Sequence, residues 1–234
     1  VSSVGTKVSW ARKTILSAMS GTLAGLAATV FLFLLDSATK FRQAHFEIIW
    51  FLPLAGLFIG WMFQHYGKGL DPGTNLVLDE IHDPKNVIPF AMSPFILVGT
   101  VLTHLFGGSA GREGTAVQMG ASLADQLGRA FNISPAERRL LLVTGAGAGF
   151  GAAIGAPFAG ALFGLEVTRV GRLQWLNAWA ALVASFFGYA MTIFLNAPHT
   201  RYQTVFVSSV DWQLLAGVAL TGVACGLFAY GLIY

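Results

Sequence analysis

Residues 107–120, GGSAGREGTAVQMG, hold two candidate chemistries. Gly107-Gly108-Ser109-Ala110-Gly111 has the G-x-S-x-G spacing of a nucleophile elbow, in which Ser109 would attack an acyl carbon. Directly after it, Arg112 and Glu113 place two charges in one of the most apolar parts of the chain. A charge at membrane depth costs at least ~2.5–3.5 kcal/mol on insertion scales, so such a glutamate is a functional candidate from the outset. A self-neutralising Arg112–Glu113 pair is the plain alternative. It is a poor one on a helix, where adjacent side chains do not face each other.

Following five small residues, Glu113 falls in the first turn of a helix expected through 115–126. Four amide N–H groups have no intrahelical partner at such a start, and the dipole places about half a positive charge there. Helix starts of this kind bind anions. A carboxylate held there competes with a free anion for the same amides; protonation removes its charge and lets the anion in. Protons and anions are then coupled, provided that burial brings the carboxyl's titration toward neutrality. Ser109 lacks the strand–turn–helix context of an elbow. Its activating base would be His104 of the same segment, or His45, His65, His82 or His199 near span ends. An intramembrane serine hydrolase is the distant alternative, and it predicts labelling of Ser109 by a fluorophosphonate.

The elements that must position these groups are membrane helices. Of 234 residues, 55% are hydrophobic and 11% charged, with a mean hydropathy of +0.65, whereas soluble domains carry roughly 25% charged residues. Apolar stretches at 14–35, 48–66, 87–111, 140–165, 173–200 and 212–234 each approach or exceed the ~20 residues of a spanning helix. The expected class is an all-α polytopic membrane protein, one transmembrane domain over 1–234 with no soluble domain appended. Net charge is +3 and the pI about 9.2, yet the basic residues form no stripe, which excludes nucleic acid as a partner and leaves the lipid bilayer. Lys7, Arg12 and Lys13 precede the first span and place the N-terminus in the cytoplasm; Asp36, Lys40, Arg42 and Glu47 then face outside. Cys225, the one cysteine, makes no intrachain disulfide. No cleaved signal segment is expected at the N-terminus. Trp175 and Trp179 are placed as interfacial anchors.

Three segments are irregular. The stretch 87–111 carries Pro89 and Pro94 early and small residues late, then meets the two charges, and reads as half-helices broken near mid-membrane. Broken helices are tolerated at depth only where protein or a water-filled cavity surrounds the backbone. Residues 70–80, LDPGTNLVLDE, make a similar turn into a short helix. Residues 144–160, TGAGAGFGAAIGAPFAG, are nearly all small: they let helix backbones pack closely, or in addition open room for a substrate beside exposed amides.

Gly111-Arg112-Glu113-Gly114 resembles the G-[KR]-E-G-P signature of the CLC chloride channels and anion/proton antiporters. Residues 144–166, TGAGAGFGAAIGAPFAGALFGLE, resemble the family's following small-residue segment and its A-P-[LF]-A-G-x-L-F continuation. Order and spacing agree along essentially the whole chain. The resemblance implies a fold of two inverted helical repeats, of which this chain holds about the first, with half-helices converging on an anion at mid-membrane. It assigns Glu113 as the gate and proton carrier, with Arg112, Gly114 and Thr115 in the outer anion cradle. Gly73-Thr74-Asn75-Leu76-Val77 takes the place of the G-S-G-I-P motif, so Thr74 stands for its serine and Asn75 is a further donor. The implied cargo is a halide, chloride or fluoride, with protons and no cofactor or metal; the protein is no enzyme, sits in a bacterial inner membrane and forms a homodimer.

Departures from the pattern refine the reading. Thr115 replaces the proline after the gate, the serine motif is altered, and Glu166 is followed by Val167 where antiporters carry a second glutamate. Against chloride antiporters this suggests a passive channel or a different proton path; against the fluoride-exporting branch the changes fit together. Glu166 is either on an inner proton route or an interfacial carboxylate paired with Arg169. The later anion-contacting motifs have no match, so the chain is expected to be a portion of a larger transport core.

Overall fold

A computed structural model of the protein describes residues 10–70, 73–167, 177–199 and 211–233. Lys7, Arg169 and Trp175 lie outside the described residues, as do the outer ends of the stretches expected at 173–200 and 212–234. The described residues form helices and no strand: α1 (Trp10–Ala44), α2 (Leu52–Tyr66, led by a 3-10 turn, Phe46–Phe51), α3 (Thr74–His82), α4 (Met92–Leu105), α5 (Arg112–Ala130), α6 (Pro135–Ile154), α7 (Pro157–Glu166), α8 (Ala178–Phe194) and α9 (Trp212–Ile233). Trp10–Ala44, Phe46–Tyr66 and Trp212–Gly231 are long and apolar enough to cross a bilayer; Met92–Leu105 and Ala178–Phe194 are shorter apolar helices.

The chain divides into two compact units, Val1–His199 and Thr200–Tyr234. The second holds α9, which Asp211 caps by accepting from the Leu214 N–H at 2.8 Å. In the first unit α6 is the hub, packed on α1, α5, α7 and α8. Its start is capped: Ser134 and Glu137 form a capping box, with Pro135 at the first helical position. Burial pushes the Glu137 carboxyl up, but the Ser134 N–H and hydroxyl, helped by Arg12 and Lys13, outweigh it and hold its pKa below the ordinary value. α6 ends on Gly155 at φ 81°, a left-handed residue that accommodates glycine, and Pro157 then opens α7.

Glycine contacts show what the small-residue stretch does. A Cβ on Gly149 would collide with the Ala116 carbonyl, one on Gly120 with that of Gly145, and one on Gly21 with that of Ala184. Helix backbones in lipid associate through such contacts, so residues 144–160 are first of all a packing surface. Replacement of Gly149 by alanine forces α5 and α6 apart; overpacking of this kind costs typically ~1–3 kcal/mol. The expected result is a matching loss of thermal stability in detergent, read by tryptophan fluorescence.

α1 runs beyond its apolar stretch. The polar break expected at 36–47 is helical as far as Ala44, with Lys40 paired to Asp36 one turn earlier at 2.6 Å. The hydroxyls of Thr22, Thr29 and Thr39 donate to carbonyls four residues back at 2.8 Å, which removes the cost of carrying them in an apolar helix. Trp179 Nε1 donates to Thr14 Oγ1 at 3.1 Å, a half-exposed indole with a satisfied N–H.

Candidate functional site

The expected break between half-helices is present. α4 stops at Leu105, Gly107 turns at φ 83°, and the Gly108 N–H returns to the Thr103 carbonyl at 2.8 Å. Arg42 holds the same corner from α1, its Nη1 donating to the His104 carbonyl at 3.0 Å. Residues 106–111 separate the two helices, and α5 begins at Arg112 with Gly111 as an extended N-cap at φ −68°, ψ 137°. Gly111 has no side chain with which to cap, so the first-turn amides of α5 receive none of the satisfaction that Ser134 gives α6. α3 begins in the same manner on Gly73, at φ 57°.

These two uncapped starts meet. A Cβ on Gly114 would lie 3.8 Å from Thr74 Oγ1 and 4.0 Å from Gln118 Nε2; one on Gly73 would lie 3.9 Å from either end of the Gln118 amide. Gln118 Nε2 donates to Thr74 Oγ1 at 2.9 Å. The first turn of α3, the first turn of α5 and the amide one turn further along α5 therefore form one cluster of donors. A cavity of about 260 Å³ adjoins it, walled by Phe63, Leu70, Met92 and Ile96 with Gly73 and Gln118 on the polar side.

Glu113 is the second residue of α5, and its carboxylate folds back over the helix start: a Cβ on Gly111 would stand 3.3 Å from Glu113 Oε2. The burial expected of this carboxyl is not found, because Glu113 is exposed in this chain. Arg112 is half-buried and Asn75 is exposed in the first turn of α3. Thr115 is placed differently from the other cradle candidates: it is buried, and its hydroxyl pairs with Thr100 Oγ1 on α4 at 2.7 Å. As the fourth helical residue it tightens the α4–α5 contact and leaves Gly114 and Thr74 to face each other.

Glu166 is exposed at the C-terminal end of α7, and Val167 packs against the central apolar cluster. Arg169, its alternative partner, is outside the described residues. Among the described residues no hydrogen bond joins Ser109 to a histidine; His104 Nδ1 contacts the Thr100 carbonyl at 2.9 Å and Ser109 is exposed. The elbow geometry is missing too, since α4 rather than a strand leads into the turn.

Two features escaped the sequence. Gln118 is 7% exposed, a buried amide in an otherwise small and apolar helical turn, and that polarity was the available signal. The other is a charged knot. Arg138 donates to Asp125 through Nε at 2.6 Å and Nη2 at 2.8 Å, to Glu80 Oε2 at 3.0 Å and to the Asn86 carbonyl at 2.6 Å. Its hydrogen bond with Asp125 outweighs burial and raises its already high pKa. The Ile88 N–H donates to Asp125 Oδ2 at 2.7 Å and the Asn86 N–H to Glu80 Oε1 at 2.9 Å, so the α3–α4 connection is fastened to α5 and α6.

A multi-pass membrane protein of broken helices, with two glycine-led helix starts brought together, is the class that fold and site define. Comparison with known proteins gives the family. The voltage gated chloride channel model matches residues 55–234. A chloride/fluoride channel protein of Pseudomonas syringae pv. tomato is 45% identical over 91% of this chain and 47% of its own length. An H(+)/Cl(-) exchange transporter of Klebsiella pneumoniae is 31% identical over 66% of this chain and 36% of its own. The solved structure of a CLC-type fluoride/proton antiporter superimposes with a TM-score of 0.84 at 32% identity, over 94% of this chain and 57% of that one. This chain belongs to the voltage gated chloride channel family, the CLC proteins, and spans about half the length of the curated relatives it matches.

Proposed function

We propose that the protein carrying this chain exchanges a small halide, fluoride in preference to chloride, for protons across the membrane, with Glu113 as gate and proton carrier. The carrying observation is the Glu113 carboxylate folded over the uncapped start of α5, beside the start of α3 that bears Thr74. A charged carboxylate competes there for the first-turn amides, which Gly111 has no side chain to cap, and a protonated one yields them to an anion. Thr74, Asn75 and the N–H groups around Gly114 supply donors, while Arg112 raises the local anion concentration. The names of the 45% identical relative, a chloride/fluoride channel protein, and of the fluoride/proton antiporter support fluoride as cargo, and the second supports proton coupling. Val167, apolar against the core, leaves no carboxylate at that position for an inner proton step.

Orientation follows from charge. Arg12 pairs with Glu137 at 3.0 Å, which brings the start of α1 to the α5–α6 connection. Arg129, Arg138 and Arg139 flank that connection, and an excess of arginine and lysine marks a cytoplasmic end.

The test is efflux from liposomes holding the complete protein, with external fluoride, chloride and pH recorded together. The expected result is fluoride efflux well above chloride efflux, with proton uptake in fixed ratio. Anion flux without proton movement indicates a passive channel and defeats the antiport reading; equal fluxes defeat the fluoride preference.

A further inference from the structure

We infer that Gln118 is a positioning residue that sets the hydrogen-bond polarity of the anion site: it occupies a lone pair of Thr74 Oγ1 and so turns the Thr74 proton outward, toward the anion. This rests on the reading of Thr74 as an anion donor and deepens it by identifying what aims that donor.

A threonine hydroxyl has one proton and two acceptor lone pairs, and it rotates to suit its neighbours. At a helix start it commonly turns to local backbone groups. A freely rotating hydroxyl is a poor anion ligand, because its oxygen meets an anion as readily as its proton does. Here Gln118 Nε2 donates to Thr74 Oγ1 at 2.9 Å. The hydroxyl cannot give its own proton back to that nitrogen, which is a donor only. The proton is therefore directed to another acceptor, and donation from Gln118 polarises the O–H bond, since linked hydrogen bonds strengthen one another.

The surroundings fix this arrangement. Gln118 is buried, and both its amide atoms stand 3.9 Å from the Cβ position of Gly73. Gly114 leaves the Thr74 side of the amide open at 4.0 Å. With Phe63, Met92 and Ile96 walling the adjoining cavity, the described side chains around it are apolar apart from Gln118 itself. Thr74 is thus the polar partner that holds the amide in register. A small, strongly hydrated anion gains most from such aiming, because it surrenders strong water hydrogen bonds on entry.

The experiment measures anion efflux against anion concentration for the complete protein in liposomes, using fluoride as the probe with pH recorded. Gln118→Leu removes the donor at similar size. Gln118→Glu keeps the shape but offers an acceptor that captures the Thr74 proton. Both are expected to raise KM for fluoride about tenfold, the worth of one charge-assisted hydrogen bond, with maximal rate and proton-to-anion ratio little changed. Thr74→Val should give the same KM shift, and Thr74→Val with Gln118→Leu should be no worse than either alone, because the two residues act as a unit. An unchanged KM in Gln118→Glu, a loss confined to maximal rate, or an additive double variant overturns the inference while leaving the transport reading intact. Should Gln118→Leu fail to fold, Gln118→Glu and Thr74→Val decide. Absence of fluoride efflux from the unsubstituted protein would instead overturn the reading beneath it.

Discussion

Replacement of Glu113 by glutamine is expected to abolish proton movement while leaving anion flux open. Glutamine has the shape of a protonated glutamate and no charge, so the start of α5 loses its internal competitor and its amides stand permanently available to an anion. Proton transport should fall to the leak of protein-free liposomes, whereas fluoride efflux persists and no longer responds to an imposed pH gradient. The fold should be nearly indifferent. Glu113 is exposed, and a carboxylate at a helix start contributes only ~0.3–1 kcal/mol. Functional loss on this scale with an unchanged melting temperature separates a gate from a structural residue. Retained coupling in the glutamine variant would show that another group carries the proton. Glu166 would then be the first to examine, from its exposed place at the end of α7.

What the sequence made legible was set by local signals. The break before Glu113 was readable because five small residues interrupt an apolar run and then meet two charges, and α4 and α5 do part there. α3 was readable from Gly73 and its neighbours for the same reason. The run of glycines on α6 was readable as a packing surface, but its partners on α5, α7 and α8 were not, since composition does not say which backbone approaches. Burial failed where it depended on groups distant in sequence. Glu113 was expected to be enclosed because its neighbours are apolar, yet a residue at the head of a helix is covered by what faces that head, and nothing on its own helix does so. Thr115 belongs to the expected cradle through its N–H after Gly114; the partner of its hydroxyl, Thr100 on α4, is the part that the sequence did not disclose, because it depends on how two helices pack. Gln118 carries no charge and so gives a weaker signal in the sequence than Glu113, although a neutral amide inside a membrane-depth turn also demands a partner.

The knot of Glu80, Asp125 and Arg138 was the least legible part, and it carries the largest stability prediction. Each of the three lies in or beside a polar break that reads from sequence as a watery loop, and 45 residues separate Glu80 from Asp125. In the fold Glu80 is 4% exposed and Asp125 1%. Two buried carboxylates share one guanidinium, which also takes the Asn86 carbonyl. Removing the cation leaves both charges without a counterion, and breaking a buried pair in this manner costs about 3–5 kcal/mol. Arg138→Met should therefore unfold at much lower temperature in detergent. Arg138→Lys should recover only part of that loss, because an ammonium cannot reproduce the planar fork that reaches both acids and a carbonyl. Adding Asp125→Asn and Glu80→Gln to Arg138→Met should restore part of the loss by removing the stranded charges. The consequence extends to transport. Glu80 lies on α3, whose other end presents Thr74 to Gly114 and Gln118, so loosening the knot lets the donor cluster drift, and fluoride efflux should weaken below the unfolding temperature. Arg138→Met melting together with the unsubstituted protein would mean that water already screens the three charges, and that the α3–α4 connection is held by its apolar contacts around Ile88 and Met92 and by the Ser122 and Gln126 side chains donating to the Pro89 and Ile88 carbonyls.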